Sequence, residues 1–227
     1  MTDPRHARAL VIVAKQPQPG RVKTRLASAL GDDGALALYD AFIDDLALRF
    51  ANGPYDFFFA YTPPDAPFHG RGAATFPQIG DTLNERLRGI FERMCPSWQE
   101  GVLVMSSDSP QVPTSWIARG FELIGSSDVV LGPCDDGGYW CVGMREPLDV
   151  FSGIPMSTPA VLERTLALAR ERELRVALLP QTFDVDTPDD VVRLVEWLDG
   201  AEVGELPAVS RVLATLQPKV ADGGIIP

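Results

Sequence analysis

Six short runs of mainly aliphatic and aromatic residues recur along this chain, at 9–14, 55–61, 102–106, 128–132, 139–144 and 174–179. A weaker seventh lies at 73–78. Several are apolar almost without interruption. A strand with one wet face alternates apolar and polar side chains, so an unbroken apolar run implies a strand covered on both faces. The covering elements lie between the runs. In 34–50, Leu36, Tyr39, Phe42, Ile43, Leu46 and Phe50 share one helical face, and in 82–94 Leu83, Leu87, Ile90, Phe91 and Met94 do the same. Thr82 and Glu85 have capping-box spacing, and 159–172 and 188–198 each open with Thr-Pro. Strands alternating with helices predict one α/β domain built on a mostly parallel sheet. The Pro- and Gly-rich stretch 62–72 predicts a long loop beside a sheet edge. A short helix around 206–216 would close a domain spanning 1–217, with 218–227 a loose tail.

Charge then singles out one segment. The 227 residues hold 31 acids against 20 bases, a net charge of -11. Such a surface repels a phosphate backbone, so no nucleic-acid partner is expected. Yet Lys15, Arg21, Lys23 and Arg25 fall within eleven residues. A solvated helix face is the ordinary explanation of such a cluster. No apolar run approaches the roughly 20 residues that span a bilayer, so no membrane partner is expected. Cys95, Cys134 and Cys141 lack the paired spacing of a zinc site, and free thiols in a cytoplasmic protein are the simple reading.

In open parallel sheets ligands bind beyond the carboxyl ends of strands, so the residues that follow each run carry the information. After the first come Lys15, Pro17, Pro19 and Gly20, then Val22, Lys23, Thr24 and Arg25 opening a helix. The prolines fix the loop's path, and the glycine permits close backbone approach. A helix N-terminus flanked by Lys and Arg is a good anion site. The spacing fits neither a P-loop nor a Gly-x-Gly-x-x-Gly dinucleotide fingerprint. After the third run stands Asp108. It is a hard-oxygen ligand for Mg²⁺ or Mn²⁺ or, equally, a turn residue in Asp-Ser-Pro. Asp136-Gly137-Gly138 joins two strands, either as a hairpin turn or as a pocket wall with a carboxylate facing a ligand. Asp184 and Asp186 alternate along an extended segment and so face one side, where one or both would stand near a metal held by Asp108.

The string Lys15-x-Pro17-x-Pro19-Gly20-x-Val22-Lys23-Thr24-Arg25-Leu26 resembles the signature of a bacterial glycosyltransferase-like family (transferase 1, radical-SAM/selenodomain-associated) of the GT-A nucleotide-diphospho-sugar transferase superfamily. Ser107-Asp108-Ser109-Pro110, Gly132-Pro133, Asp136-Gly137-Gly138-Tyr139, Ser157-Thr158 and Asp184-Val185-Asp186-Thr187-Pro188 extend the resemblance over nearly all of 9–198. The chain is similar, more distantly, to 2-phospholactate guanylyltransferases and molybdenum-cofactor nucleotidyltransferases.

The resemblance implies a three-layer α/β/α GT-A fold, Mg²⁺ or Mn²⁺, and a nucleotide-sugar or NTP with a small-molecule acceptor. Lys15, Gly20, Lys23, Thr24, Arg25, Gly137 and Gly138 would bind the nucleotide. Asp108, with Asp184 or Asp186, would hold the metal, and Asp136 with Lys23 would act in catalysis. Sugar transfer is the leading expectation, nucleotidyl transfer the alternative, and a non-catalytic nucleotide-binding domain a third. Asn84 stands where the family usually has Gly, and Met156 where it often has Trp.

Overall fold

A computed structural model describes residues 4–200 and 205–223. Seven strands form one sheet: β1 (Arg8–Lys15), β2 (Asp56–Thr62), β3 (Ala74–Pro77), β4 (Gly101–Ser106), β5 (Val129–Pro133), β6 (Tyr139–Met144) and β7 (Val176–Leu178). Their order is β3-β2-β1-β4-β6-β5-β7, and only β6 runs antiparallel, between β4 and β5. The unbroken apolar runs are explained by helices on both faces. Leu10, Ile12 and Ala14 pack beneath α1 (Thr24–Phe50), α3 (Thr114–Ile124), α5 (Pro188–Gly200) and α6 (Pro207–Gly223). Ala9 and Val11 point the other way, towards α2 (Leu83–Met94) and α4 (Val161–Glu171). The fold is therefore the expected three-layer α/β/α domain with a mostly parallel mixed sheet.

Local chemistry accounts for the element ends. Thr82 and Glu85 form the expected capping box of α2. Thr187 and Asp190 make a comparable pair at α5, with Thr187 N–H donating to Asp190 at 2.8 Å. The start of α4 differs from expectation. Thr158 does not cap it but donates to the Pro155 carbonyl, and the helix begins at Val161 without a side-chain cap. Its Leu162 N–H is taken instead by the Gly137 carbonyl, which ties α4 to the β5–β6 turn. The α3 helix carries no sequence assignment above, although Ile117, Phe121 and Ile124 are spaced to bury one face. Finally, α6 continues to Gly223, beyond the expected boundary at 217, and 224–227 lie outside the described residues.

The sheet order locates a ligand site before any side chain is considered. β1 is flanked by β2, which follows it, and by β4, reached only after a crossover. The strand order reverses there, and the connections leaving β1 and β4 run in opposite directions along the sheet, which opens a crevice beyond their carboxyl ends.

One buried carboxylate fixes α6 to the body of the fold. Asp45 on α1 is 1% exposed and accepts the Ala208 and Val209 N–H groups, each at 2.9 Å. Those are first-turn amides of α6 with no partner in their own helix. Asp45→Ala is expected to cost about 1–3 kcal/mol, the usual penalty for stranding buried polar groups. Amide hydrogen exchange should show the loss first in α6; unchanged protection of 207–216 would refute the assignment.

Candidate active site

The loop after β1 is shaped by its own residues. Gly20 takes φ 68 in an exposed turn, and Val22 is buried in the core and pins the loop's far end. Lys23 follows as the N-cap of α1, in the left-handed region at φ 47 and ψ 43. That conformation is uncommon for a residue with a side chain and is found mostly where surroundings enforce it. The surroundings here are ionic. The Lys23 ammonium lies 2.6 Å from Asp108 Oδ1 and 2.8 Å from Asp186 Oδ1, with its side chain 3% exposed against 36% and 43% for the two carboxylates. Beneath it lie the rings of Tyr39 and Phe42, with centroids 5.9 and 5.6 Å away.

Three loop ends meet at this point. Asp108 follows β4, and its carbonyl accepts the Val185 N–H at 2.8 Å, drawing in the segment that bears Asp184 and Asp186. Gln111 reinforces the same junction through the Phe183 carbonyl and the Thr182 hydroxyl. Tyr39 binds the other side. Its hydroxyl accepts the Lys15 N–H at 2.8 Å and lies 3.1 Å from the Ser107 hydroxyl, joining the ends of β1 and β4.

Charge is uneven across the cluster. Burial disfavours the Lys23 ammonium, but Asp108 and Asp186 more than offset it and hold the group above the ordinary lysine range. Burial likewise opposes the Asp186 carboxylate. Lys23, with Arg25 and Lys15 further off, outweighs that and holds Asp186 below the usual carboxylate range. Asp184 is the exception. Burial first, then the neighbouring Asp108 charge, pushes it up to about 7, against a hydrogen bond from Ser109 that favours ionisation.

The structure thus gathers Lys23, Asp108, Asp184 and Asp186, with Arg25 and Lys15 on the approach. Lys15 and Thr24 are exposed. The remaining expected residues have reasons of their own. A Cβ on Gly137 would lie 2.0 Å from the Pro159 carbonyl oxygen, so that glycine is required by protein packing, and the idea that it makes way for a ligand loses its support. The nearest neighbour to Gly138 is the Asp136 carboxylate, which accepts the Gly138 N–H at 2.8 Å in an ordinary hairpin turn. Asp136 itself is exposed.

Other residues at the site were not singled out from sequence. Tyr39 reads as a core member of its helical face, and only its hydroxyl distinguishes it from Phe42. On the far flank of β1, Arg86 lies partly buried beside the Thr62 hydroxyl, 3.4 Å away, and its Nε has no hydrogen-bond partner. Among the described residues it makes no ion pair. An open cavity of about 480 Å³ lies between the first turn of α2 and 149–156, lined in part by Leu83, Asn84, Arg88, Phe151, Ser152 and Met156. Asn84 spans its base by donating to the Phe151 and Ile154 carbonyls. Asn84 and Met156, where the chain departs from the pattern of the family it resembles, therefore line one cavity. Cys95, Cys134 and Cys141 are free thiols and buried. Among the described residues no helix is long and apolar enough to cross a membrane.

Comparison with known proteins agrees with this architecture. Residues 47–158 match the profile of a family described as "Uncharacterized protein conserved in bacteria (DUF2064)". No curated protein matches the chain. A crystal structure from Desulfovibrio desulfuricans G20, a candidate nucleotide-diphospho-sugar transferase by its description, is 28% identical with a TM-score of 0.88, covering 96% of this chain and 98% of its own. Two matches at lower identity share the fold. CMP:2-keto-3-deoxy-manno-octonic acid synthetase complexed with CTP is 12% identical with a TM-score of 0.51, covering 85% of this chain and 98% of its own. The 4-diphosphocytidyl-2C-methyl-D-erythritol synthase of Anaerococcus prevotii DSM 20548 is 9% identical with a TM-score of 0.52, covering 85% and 98%. The chain thus has the nucleotide-diphospho-sugar transferase fold.

The raised Asp184 makes a pH prediction with a definite sign. Its folded-state value of about 7 lies above the unfolded carboxylate value of 3.8, so the proton favours the folded state. That contribution is complete below about pH 4 and is lost as pH rises through 7. Asp184→Asn keeps an oxygen for Ser109 and removes the charge. It should therefore stabilise the ligand-free protein above neutrality, by on the order of 2 kcal/mol, and have little effect near pH 4. Denaturant midpoints at pH 4.5 and 8 measure this; equal effects at both would refute the raised value.

Proposed function

We propose that the chain is a metal-dependent transferase acting on a nucleotide-activated donor, and that it transfers a sugar from a nucleotide-sugar to a small acceptor. One observation carries this reading: two carboxylates from separate loops, Asp108 and Asp186, converge on a single cation at the sheet's switch point, under a basic loop. The similarity to the D. desulfuricans protein over almost the whole length of both chains supports a sugar donor over a free NTP.

The residues present fit a divalent ion in part. Asp108 Oδ1 and Asp186 Oδ1 already surround one point within 2.8 Å. Mg²⁺ is often held by one or two carboxylates completed by substrate phosphates and water. Among the described residues no group of three His, Cys, Asp or Glu side chains is arranged to hold a metal, so the diphosphate would have to supply part of the shell. Burial and the Asp108 charge oppose the ionised form of Asp184 in the metal-free protein. Bound there, such an ion would neutralise charge on the departing nucleoside diphosphate.

The rest belongs to the chain's own side chains. Lys15 and Arg25 stand exposed on the approach and hold the diphosphate electrostatically, with Gly20 letting the loop's backbone close on it. Lys23, set at the first turn of α1, stabilises charge that develops on the leaving phosphate. Asp136, exposed at the turn above the carboxylates, orients the acceptor hydroxyl and takes up its proton. The cavity lined by Asn84 and Met156 holds the acceptor body, so its departures from the family pattern bear on which acceptor is used.

The test is product analysis. Incubation with UDP- or GDP-sugars and Mn²⁺ should release the nucleoside diphosphate slowly, and Asp108→Asn should reduce that rate by about 10²-fold or more. Release of pyrophosphate from an NTP with a phosphorylated small molecule, and no turnover of any nucleotide-sugar, would replace sugar transfer by nucleotidyl transfer. Separately, Lys23→Ala should weaken nucleotide binding by about 1.5–3 kcal/mol, the range of a charge-assisted hydrogen bond. Titration calorimetry showing equal affinity would remove Lys23 from the phosphate site.

A further inference from the structure

We propose that the Lys23 ammonium and a divalent cation are alternative occupants of the Asp108–Asp186 pair, exchanged when a nucleoside diphosphate arrives. The inference rests on the nucleotide reading above and deepens it by assigning how metal and nucleotide depend on one another.

The two roles given to this cluster exclude each other in the observed geometry. A phosphate oxygen cannot contact Lys23 Nζ while its side chain is 3% exposed, roofed by two carboxylates and floored by Tyr39 and Phe42. Nor can a metal bind both carboxylates while an ammonium lies 2.6 and 2.8 Å from the same two oxygens. Charge accounting gives the coupling. Lys23 leaves the pair at one net negative charge; a dication in its place brings the pair to neutrality and releases one positive charge.

Displaced from the pair, the ammonium loses both of its anionic partners, and Arg25 and Lys15, close enough to act on Asp186, add charge of its own sign to the approach. A bound diphosphate supplies the missing partner. Conversely, a diphosphate arriving without metal could draw Lys23 out only by leaving two carboxylates unneutralised beside an anion. Each ligand alone meets an opposing term that the other removes, which is positive coupling and is reciprocal. The four-carbon stem of lysine allows the movement by side-chain rotation, so the loop backbone can stay in place.

The experiment measures Mn²⁺ binding to the full chain by electron paramagnetic resonance, for wild type, Lys23→Met and Lys23→Met/Asp108→Asn, with Mn²⁺ alone and with UDP or GDP added. Wild type should bind Mn²⁺ weakly, and the nucleoside diphosphate that binds should tighten it by tenfold or more. Lys23→Met should bind Mn²⁺ alone at least tenfold more tightly than wild type, with most of the tightening by nucleotide gone and the site lost on adding Asp108→Asn. Equal or weaker Mn²⁺ binding by Lys23→Met would overturn the exchange, as would an ion that survives Asp108→Asn. Should neither UDP nor GDP bind any form, the nucleotide reading fails, while the comparison with Mn²⁺ alone still decides the exchange. Should Lys23→Met not fold, the wild type provides the second measurement. Amine labelling followed by mass spectrometry should show Lys23 protected without metal and labelled at saturating Mn²⁺, with Lys15 as the exposed reference; unchanged protection of Lys23 would overturn the proposal.

Discussion

The ammonium of Lys23, held between Asp108 and Asp186, is the charged contact that joins three stretches of chain at one point. The loop after β1, the end of β4 and the segment beyond β7 each leave the sheet separately. Without the lysine, the end of β4 and the segment beyond β7 would present like charges to each other. A buried ion pair seldom adds much net stability, because desolvation consumes most of the attraction, but breaking one strands an uncompensated charge. The value of this arrangement is therefore positional. It fixes where two carboxylates stand and holds Asp186 below the usual carboxylate range, while burial and the Asp108 charge push Asp184 up.

The sheet sets the stage for that contact. Placing β4 beside β1 carries Ser107 and Asp108 to the carboxyl end of the first strand, and the register of Val13 with Ser106 puts the two exits level. Tyr39 then secures the junction from below through Lys15 and Ser107, so the charged layer rests on a rigid floor. The hairpin of β5 and β6, antiparallel in an otherwise parallel sheet, returns the chain so that Asp136 and α4 stand on the same side as the carboxylates' segment. That segment pairs with the hairpin at Cys134 and Thr182.

Much of this was legible in the sequence, and the limits have physical causes. The inner strands were readable because burial on both faces leaves few polar interruptions, a signal carried within each run, whereas the edge strand β3 is largely exposed and gave the weaker run. The helix over Thr114–Ile124 was not, because Pro110, Pro113 and Gly120 break its pattern and no polar side chain caps its start. The capping box of α2 was legible since both partners lie within four residues; the cap of α6 was not, since Asp45 lies 163 residues from Ala208. The same separation in sequence, 163 residues, divides Lys23 from Asp186. Each residue could be nominated from its place after a strand, but their ion pair required the strand order. Gly137 shows the opposite case. Its adjacency to Gly138 suggested room for a ligand, whereas the room is filled by the Pro159 carbonyl.

The acidity of the chain explains why the site carries its own cation. With 31 acids against 20 bases, a naked pair of carboxylates at the mouth of a cleft would repel a diphosphate twice over, locally and through the field of the whole surface. An internal lysine neutralises half of that local charge without depending on solution ions, and Arg25 and Lys15 reverse the sign along the approach. The outcome is a small positive entrance on a negative protein.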